Sequence, residues 1–263
     1  MAAAARDNAE RVRERRSLTI LRMPAVLRLT SSIGSAVICG IVVGGIGGRL
    51  VMRVSAVAAD GSRTGMLTEN GNVVGRVTFE GTMALLLFVG LITGVSVGLF
   101  LFALRAVLPG RFLPATISAV LLALGGAIAI DPSNADFVIV GNRALNVAMF
   151  IALFPAFGAL FVVLAERMDG WLVRPPLARI APLSLIGTGF GVMLGLLGVG
   201  VITASNGLTT GVAVVAVTAL GAVAAFASEG PAAPARRAAL VVLGVATPWG
   251  LLQVAQDVRT IVG

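Results

Sequence analysis

Seven apolar segments separated by short polar connections restrict the fold of this 263-residue chain more than any other feature. They lie near residues 33–57, 82–104, 113–130, 144–165, 181–203, 208–228 and 238–254. Most are close to the ~20 residues that a helix needs to cross the hydrocarbon core of a bilayer. Lipid admits only backbones that satisfy their own hydrogen bonds, so the pattern predicts an all-α polytopic membrane bundle of about seven transmembrane helices.

The composition agrees with a membrane location and excludes several functions. Hydrophobic residues make up 57% of the chain and charged residues 12%, whereas soluble domains carry roughly 25% charged residues. The net charge of +8 comes from arginines that punctuate the apolar runs. A nucleic-acid-binding protein gathers its basic residues on one water-facing surface, so no nucleic-acid partner is expected.

The distribution of arginine predicts the orientation in the membrane. Residues 1–32 are strongly basic and are predicted to form a cytoplasmic N-terminal segment, followed by one transmembrane domain over residues 33–263. Seven crossings then place the N-terminus inside and the C-terminus outside. With that topology fourteen arginines fall on the inner side and six on the outer side, as the positive-inside rule requires. We therefore expect a multi-pass protein of the plasma membrane, and the resemblance described below implies a bacterial one.

Glycines repeat every fourth residue in three of the apolar segments. They are Gly40, Gly44 and Gly48, then Gly90, Gly94 and Gly98, and finally Gly187, Gly191 and Gly195. This spacing lets membrane helices approach closely, so it predicts tight packing inside the bundle. A dimerising or sliding interface is the functional alternative.

The outer connection over residues 59–81 contains the one strand-like pattern. β-prone residues 66–68 and 73–79 flank an Asn70-Gly71 turn, which is typical of a short β-hairpin. Such a hairpin is either a lid or docking surface over the outer side or an ordinary ordered connection.

Polar residues collect at the predicted outer ends of the first four apolar segments. They are Arg49, Arg53, Glu80, Asp131, Asp136, Asn142 and Arg143. Arg49 and Arg53 lie one turn apart on one helix face, where they repel each other unless acids pair with them. This candidate site is either a structural ion-pair network or a mouth that binds an anion, a lipid or a peptide.

Missing residue types remove whole classes of chemistry. The chain has no histidine, lysine or tyrosine, so it lacks the usual general base and the Schiff-base nucleophile. The single cysteine, Cys39, lies in an apolar segment and has no partner for a disulfide or a structural zinc site. We expect no metal and no cofactor, and we expect a protein outside the common histidine-, lysine- and metal-dependent enzyme classes.

Three motifs in order resemble those of uncharacterised multi-pass membrane proteins of actinobacterial type. They are Gly48-Arg49-Leu50-Val51-Met52-Arg53, Gly75-Arg76-Val77-Thr78 with Gly81-Thr82, and Asp131-Pro132-Ser133-Asn134-Ala135-Asp136-Phe137. The resemblance covers roughly residues 40–170. It implies a multi-pass membrane fold, and it supplies no activity and no catalytic residue.

These observations favour an accessory or binding subunit of a membrane complex over a transporter or channel for small solutes or lipids. A transporter needs a polar path through the middle of the bilayer. The centres of the second to sixth segments offer only Thr93, Ser96, Ser118 and Thr188. The expected partners are the lipid bilayer, other membrane subunits, or further copies of this chain.

Overall fold

The structure, a computed structural model, describes residues 25–58, 65–67, 78–108, 113–134, 136–139, 142–172, 208–227 and 232–263. Within these ranges the long helices are α1 (Ala25–Ala58), α2 (Phe79–Val107), α3 (Pro114–Ala129), α4 (Arg143–Leu172), α5 (Leu208–Phe226) and α6 (Ala232–Val262). A short helix spans Asp136–Ile139. All of the long helices except α3 are long and apolar enough to cross a membrane. The chain is therefore all-helical in its described core, with five candidate membrane spans.

Contacts between helices define two ends of the bundle. α1 and α2 run antiparallel, because Gly98 packs on Ile33 whereas Gly90 packs on Ile41. α4 runs antiparallel to α1, since Ser31 bonds Ala165 and Ser55 bonds Asn146. The lower end holds the starts of α1, α3 and α6 and the ends of α2, α4 and α5. The upper end holds the opposite termini, including Ala58, Phe79, Arg143, Leu208 and Val262.

The lower half of α2 is the centre of the bundle. Leu101, Ala103, Leu104 and Val107 have no exposed surface, and this half packs against α1 on one side and α5 on another. α5 comes so close that a Cβ on Gly221 would lie 2.5 Å from the Ala103 methyl group. Burying apolar side chains on every face of a helix is possible only when neighbours surround it.

The first two glycine repeats face each other where α1 crosses α2, which confirms close packing at both. A Cβ on Gly40 would overlap the carbonyl oxygen of Gly90, and one on Gly94 would lie 3.0 Å from the Cα of Val37. Only hydrogen fits at such positions, so the two backbones touch. The third repeat, Gly187 to Gly195, lies outside the described residues.

Several helix boundaries differ from the sequence-based predictions. Residues 25–32, which were predicted to precede the first span, already belong to α1, and Ser31 and Ser32 are buried there against α4 and α2. Phe79 was expected at the end of a strand, but it opens α2, where the Thr78 hydroxyl accepts a hydrogen bond from the Gly81 amide. Residues 68–77 of the predicted hairpin lie outside the described part of the chain, and so does the fifth apolar segment, 181–203.

Three of the described helices contain a π-helical stretch near mid-length. These stretches are Gly40–Gly47 in α1, Leu86–Ile92 in α2 and Leu121–Gly125 in α3. The first two face each other across the α1–α2 crossing. Such turns widen the helix and free part of the backbone hydrogen bonding, and they often mark functional positions.

Candidate functional site

Arg49 is the least satisfied of the predicted site residues. It lies in the upper half of α1, one turn above Gly45, which is buried beneath the Leu86 side chain of α2. Its Nε and Nη2 atoms are buried and have no hydrogen-bond partner in the described part of the chain. A guanidinium stays charged in proteins, so donors buried without acceptors cost free energy.

The other predicted residues lie at upper helix ends, where most of them shape local structure. Asp131 is exposed, and its Oδ1 accepts hydrogen bonds from the Ser133 amide at 2.8 Å and the Ser133 hydroxyl at 2.7 Å. Asn142 caps α4, since its Oδ1 accepts from the Leu145 amide at 3.1 Å. These are the turn and cap roles in which Asp and Asn are favoured.

The remaining predicted residues are charged and sit around the same end. Glu80 is exposed in the first turn of α2, where a negative charge suits the positive end of the helix dipole. Arg143 is exposed, and its Nη1 donates to the Ile261 carbonyl of α6 at 3.4 Å. Arg53 is exposed and Asp136 half-buried, and both have interaction partners. The ion pairs expected between the two arginines of α1 and the nearby acids stay a prediction.

A buried hydrogen bond joins α1 to α4 just below this surface. The Ser55 hydroxyl donates to Oδ1 of Asn146 at 3.1 Å, and both side chains are almost fully buried. Asn146 is one turn along from Asn142, so one helix terminus supplies both a cap and an interhelical contact. The bond fixes the upper part of α1, where Arg49 is held.

A second polar cluster lies at the lower end, where none was predicted. Asp169 of α4 has no exposed surface, and its Oδ2 forms an ion pair with Nη2 of Arg105 at the end of α2. Nη1 of Arg105 also donates to the Ser32 hydroxyl of α1 at 3.2 Å. One guanidinium thus connects three helices, and burial strengthens the charged contact.

Further serines and one more arginine extend this lower cluster. Ser31 donates to the Ala165 carbonyl at 3.2 Å, and Ser35 contacts the sulfur of Met168 at 3.1 Å. Arg28 is near enough to interact electrostatically with both Arg105 and Asp169. Oδ1 of Asp169 is buried without a hydrogen-bond partner in the described ranges. The cluster therefore brings two cations near the Asp169 carboxylate.

A helical signal for the lower cluster was present in the sequence. Arg28, Ser31, Ser32 and Ser35 are spaced i, i+3, i+4 and i+7, which places them on one face of a helix. The predicted boundary at residue 33 divided that face between a cytoplasmic segment and the first span. Because residues 25–39 form one helix, Arg28, Ser31, Ser32 and Ser35 make a continuous polar stripe along one of its faces.

The described residues contain no group of three or more cysteine, aspartate and glutamate side chains placed to hold a metal ion. Asp131 and Asp257 approach each other closely enough to interact electrostatically. Two carboxylates without further ligands are a poor site for the hard cations that carboxylates prefer.

Comparison with known proteins gives no relative for this arrangement: no family, no curated protein and no solved structure matches the chain. A function for this protein is therefore inferred from the architecture and the side chains described above.

Proposed function

We propose that this chain is a multi-pass plasma-membrane protein that serves as a binding or accessory subunit and receives an anionic group of its partner at the upper end. The observation that carries the proposal is Arg49, whose Nε and Nη2 atoms are buried and lack an acceptor in the described ranges. An external carboxylate, phosphate or carbonyl oxygen would satisfy these donors.

Neighbouring residues support a receptive surface at this end. Around Arg49 the upper end carries the exposed side chains of Arg53, Glu80, Asn142 and Arg143. The Ser55–Asn146 bond holds the upper part of α1 against α4, so the donors are positioned before a partner arrives. Such preorganisation reduces the entropic cost of binding.

Photo-crosslinking in native membranes tests the proposal. A photoreactive residue at Met52, which is exposed within one turn of Arg49, is expected to give a discrete crosslinked product. The control is the same photoreactive residue in place of Trp249, which is exposed on α6. It reports the crosslinks that any lipid-facing position would give. The Met52 product should disappear in Arg49→Met, which removes the guanidinium but keeps similar bulk.

Thermal unfolding of the same variant separates binding from folding. Arg49→Met removes buried donors without acceptors, so its unfolding temperature in detergent should equal or exceed that of the wild type. A crosslinked product that persists in Arg49→Met, or a large fall in its unfolding temperature, would refute the binding role and favour a structural one.

We also propose the orientation with seven spans, the N-terminus inside and the C-terminus outside. Leu172 lies at the lower end and Leu208 at the upper end, so the connection between them has to join opposite ends of the bundle. The apolar segment 181–203 has the length for that crossing. A periplasm-active reporter should work after Gly263 and near Gly71 and stay silent after Gly110 and Gly170; the reverse pattern would contradict this topology.

A transporter for a small solute or lipid is the second candidate, and the π-helical stretches favour it. Those in α1 and α2 face each other near mid-length, where rearranged hydrogen bonding lets a helix shift its register. Uptake of a labelled solute or lipid by purified protein in liposomes would support this candidate, provided that the rate changes in Gly90→Ala.

A further inference from the structure

We propose that an anionic glycerophospholipid binds at the lower end of the bundle, with its phosphate on Arg236 and Arg237 and one acyl chain in a groove between α3 and α6. The inference rests on the bundle lying in a bilayer with its lower end at the cytoplasmic leaflet, as in the proposed topology. It is independent of Arg49 and of any partner at the upper end.

The groove is apolar and opens at the side of the bundle. It has a volume of about 380 Å³ and lies between α3 and α6 beside the end of α2. Its walls include Leu108, Thr116 and Val120 on one side and Gly244 and Pro248 of α6 on the other. This volume lies within the range of ordinary ligand pockets, and a lining of this kind suits a hydrocarbon chain.

The residues of α6 that line the groove continue downward to a pair of arginines. Arg236, Leu240 and Gly244 are four residues apart and share one helix face. Arg236 is thus about two turns, or ~12 Å, below Gly244 along the helix axis. Arg236 and Arg237 are both exposed, so positive charge lies at the lower opening of an apolar groove.

A backbone contact fixes Arg236 at that opening. Its Nε donates to the Val107 carbonyl at 2.8 Å, and the next residue, Leu108, lines the groove. This bond uses Nε of the guanidinium, and within the described residues Nη1 and Nη2 remain for an incoming acceptor. Two parallel hydrogen bonds to a phosphodiester are the geometry in which arginine binds phosphate best.

The combination of charge and groove favours a phospholipid over a soluble anion or an apolar solute. Basic pockets beside membrane helices bind anionic head groups, which are abundant on the cytoplasmic leaflet. Val241 and Val245 are 67% and 70% exposed next to the groove, so the surface around its opening is apolar and suited to lipid. Gly244 leaves open space where a side chain would stand.

Lipid-dependent stabilisation tests the proposal. The full chain would be purified in detergent, stripped of lipid, and heated with phosphatidylglycerol or with phosphatidylcholine of the same acyl chains. Phosphatidylglycerol is expected to raise the unfolding temperature more than phosphatidylcholine, because a ligand that binds the folded state stabilises it. Glycerol phosphate alone should have little effect, since it cannot fill the groove.

Variants of each half of the site give the sharper comparison. Arg237→Gln keeps the bond to Val107 and should weaken phosphatidylglycerol binding by about tenfold, the value of one charge-assisted hydrogen bond. Gly244→Leu places a side chain in the open space and should reduce the binding of both lipids without lowering the unfolding temperature of the lipid-free protein.

Matched controls lie on the same helix. Val245→Phe adds bulk to the adjacent lipid-facing position, and Arg259→Gln removes an exposed arginine at the upper end. Both should retain the preference for phosphatidylglycerol. Equal stabilisation by the two lipids, full binding in Gly244→Leu, or an equal effect of glycerol phosphate would overturn the proposal. A fall in oligomeric mass in Gly244→Leu would instead assign the groove to a second copy of the chain.

Discussion

The two ends of the bundle differ in how their buried arginines are paired. At the lower end Arg105 and Asp169 are paired inside the bundle, and α2 is surrounded, with Leu104 fully buried. At the upper end Arg49 keeps buried donors without acceptors in the described ranges, and on α2 Phe88 is 64% exposed. Oδ1 of Asp169 also lacks a hydrogen-bond partner in the described ranges, but that carboxylate is held through Oδ2 by Arg105. Nε and Nη2 of Arg49 have no such contact there. In the proposed function, the contact of α1, α2 and α4 at the lower end is the fixed part of the bundle, and the surface around Arg49 is where a protein partner binds.

The largest effect that would test this comparison is the loss of the buried carboxylate. Asp169→Asn removes the carboxylate that pairs with Arg105 inside the bundle, and breaking a buried pair in this way costs about 3–5 kcal/mol. The exposed Asp131→Asn at the upper end should change stability by less than about 0.5 kcal/mol. Thermal unfolding in detergent measures both.

A double variant sharpens that result. Asp169→Asn combined with Arg105→Gln should lose less stability than the sum of the two single variants, because the second change removes the charge that the first left unpaired. Equal losses in Asp169→Asn and Asp131→Asn would contradict the distinction between the ends.

The next effect concerns the α1–α2 crossing, which is tight at mid-length and toward the lower end and looser at the upper end. A Cβ on Gly98 would lie 2.8 Å from the Cα of Ile33, whereas one on Gly48 would meet only the Leu85 side chain at 3.8 Å. Gly98→Ala should therefore cost about 1–3 kcal/mol by overpacking. Gly48→Ala should be neutral or stabilising, because alanine favours a helix by about 1 kcal/mol over glycine. Unfolding by a denaturing detergent compares the two, and equal losses would show that the crossing is uniform.

The smallest expected effect is the loss of the interhelical bond at the upper end. Ser55→Ala removes the donor to Asn146 and should cost about 0.6 kcal/mol, the average for such bonds between membrane helices. Ser96→Ala is the matched control, since that buried hydroxyl donates to the Ile92 carbonyl of its own helix at 2.9 Å. Its loss should be smaller. A larger loss in Ser96→Ala would mean that Ser55 does not fix α1 to α4.

The sequence allowed the class of fold to be predicted because the relevant signals are long and local. Apolar length marks α1, α2, α4, α5 and α6, and the four-residue glycine repeat marks the α1–α2 crossing. Helix ends were less predictable, since tertiary contacts decide them: Ser31 and Ser32 look like a polar flank until Arg105 and Ala165 are placed beside them.

The candidate site could be predicted only as far as chain order allows. Chain order indicated which residues share the upper end. It did not indicate which of them form hydrogen bonds with their own neighbours in the chain, as Asp131 does with Ser133. The lower ion pair joins residues 64 positions apart, and no local pattern connects Arg105 to Asp169. The polar stripe beside it became recognisable only once residues 25–32 were seen to belong to α1.

The position of α5 against α2 has a consequence for how the protein is made. The lower half of α2 is finished early in translation, yet Gly221, which packs on Ala103, is more than a hundred residues further along the chain. During synthesis α1 can pack on α2 at once, whereas the opposite face of α2 stays uncovered until α5 has been made. Nascent chains stalled before residue 208 should therefore expose that face to chaperones or insertase components, and they should resist protease poorly until α5 and α6 have emerged.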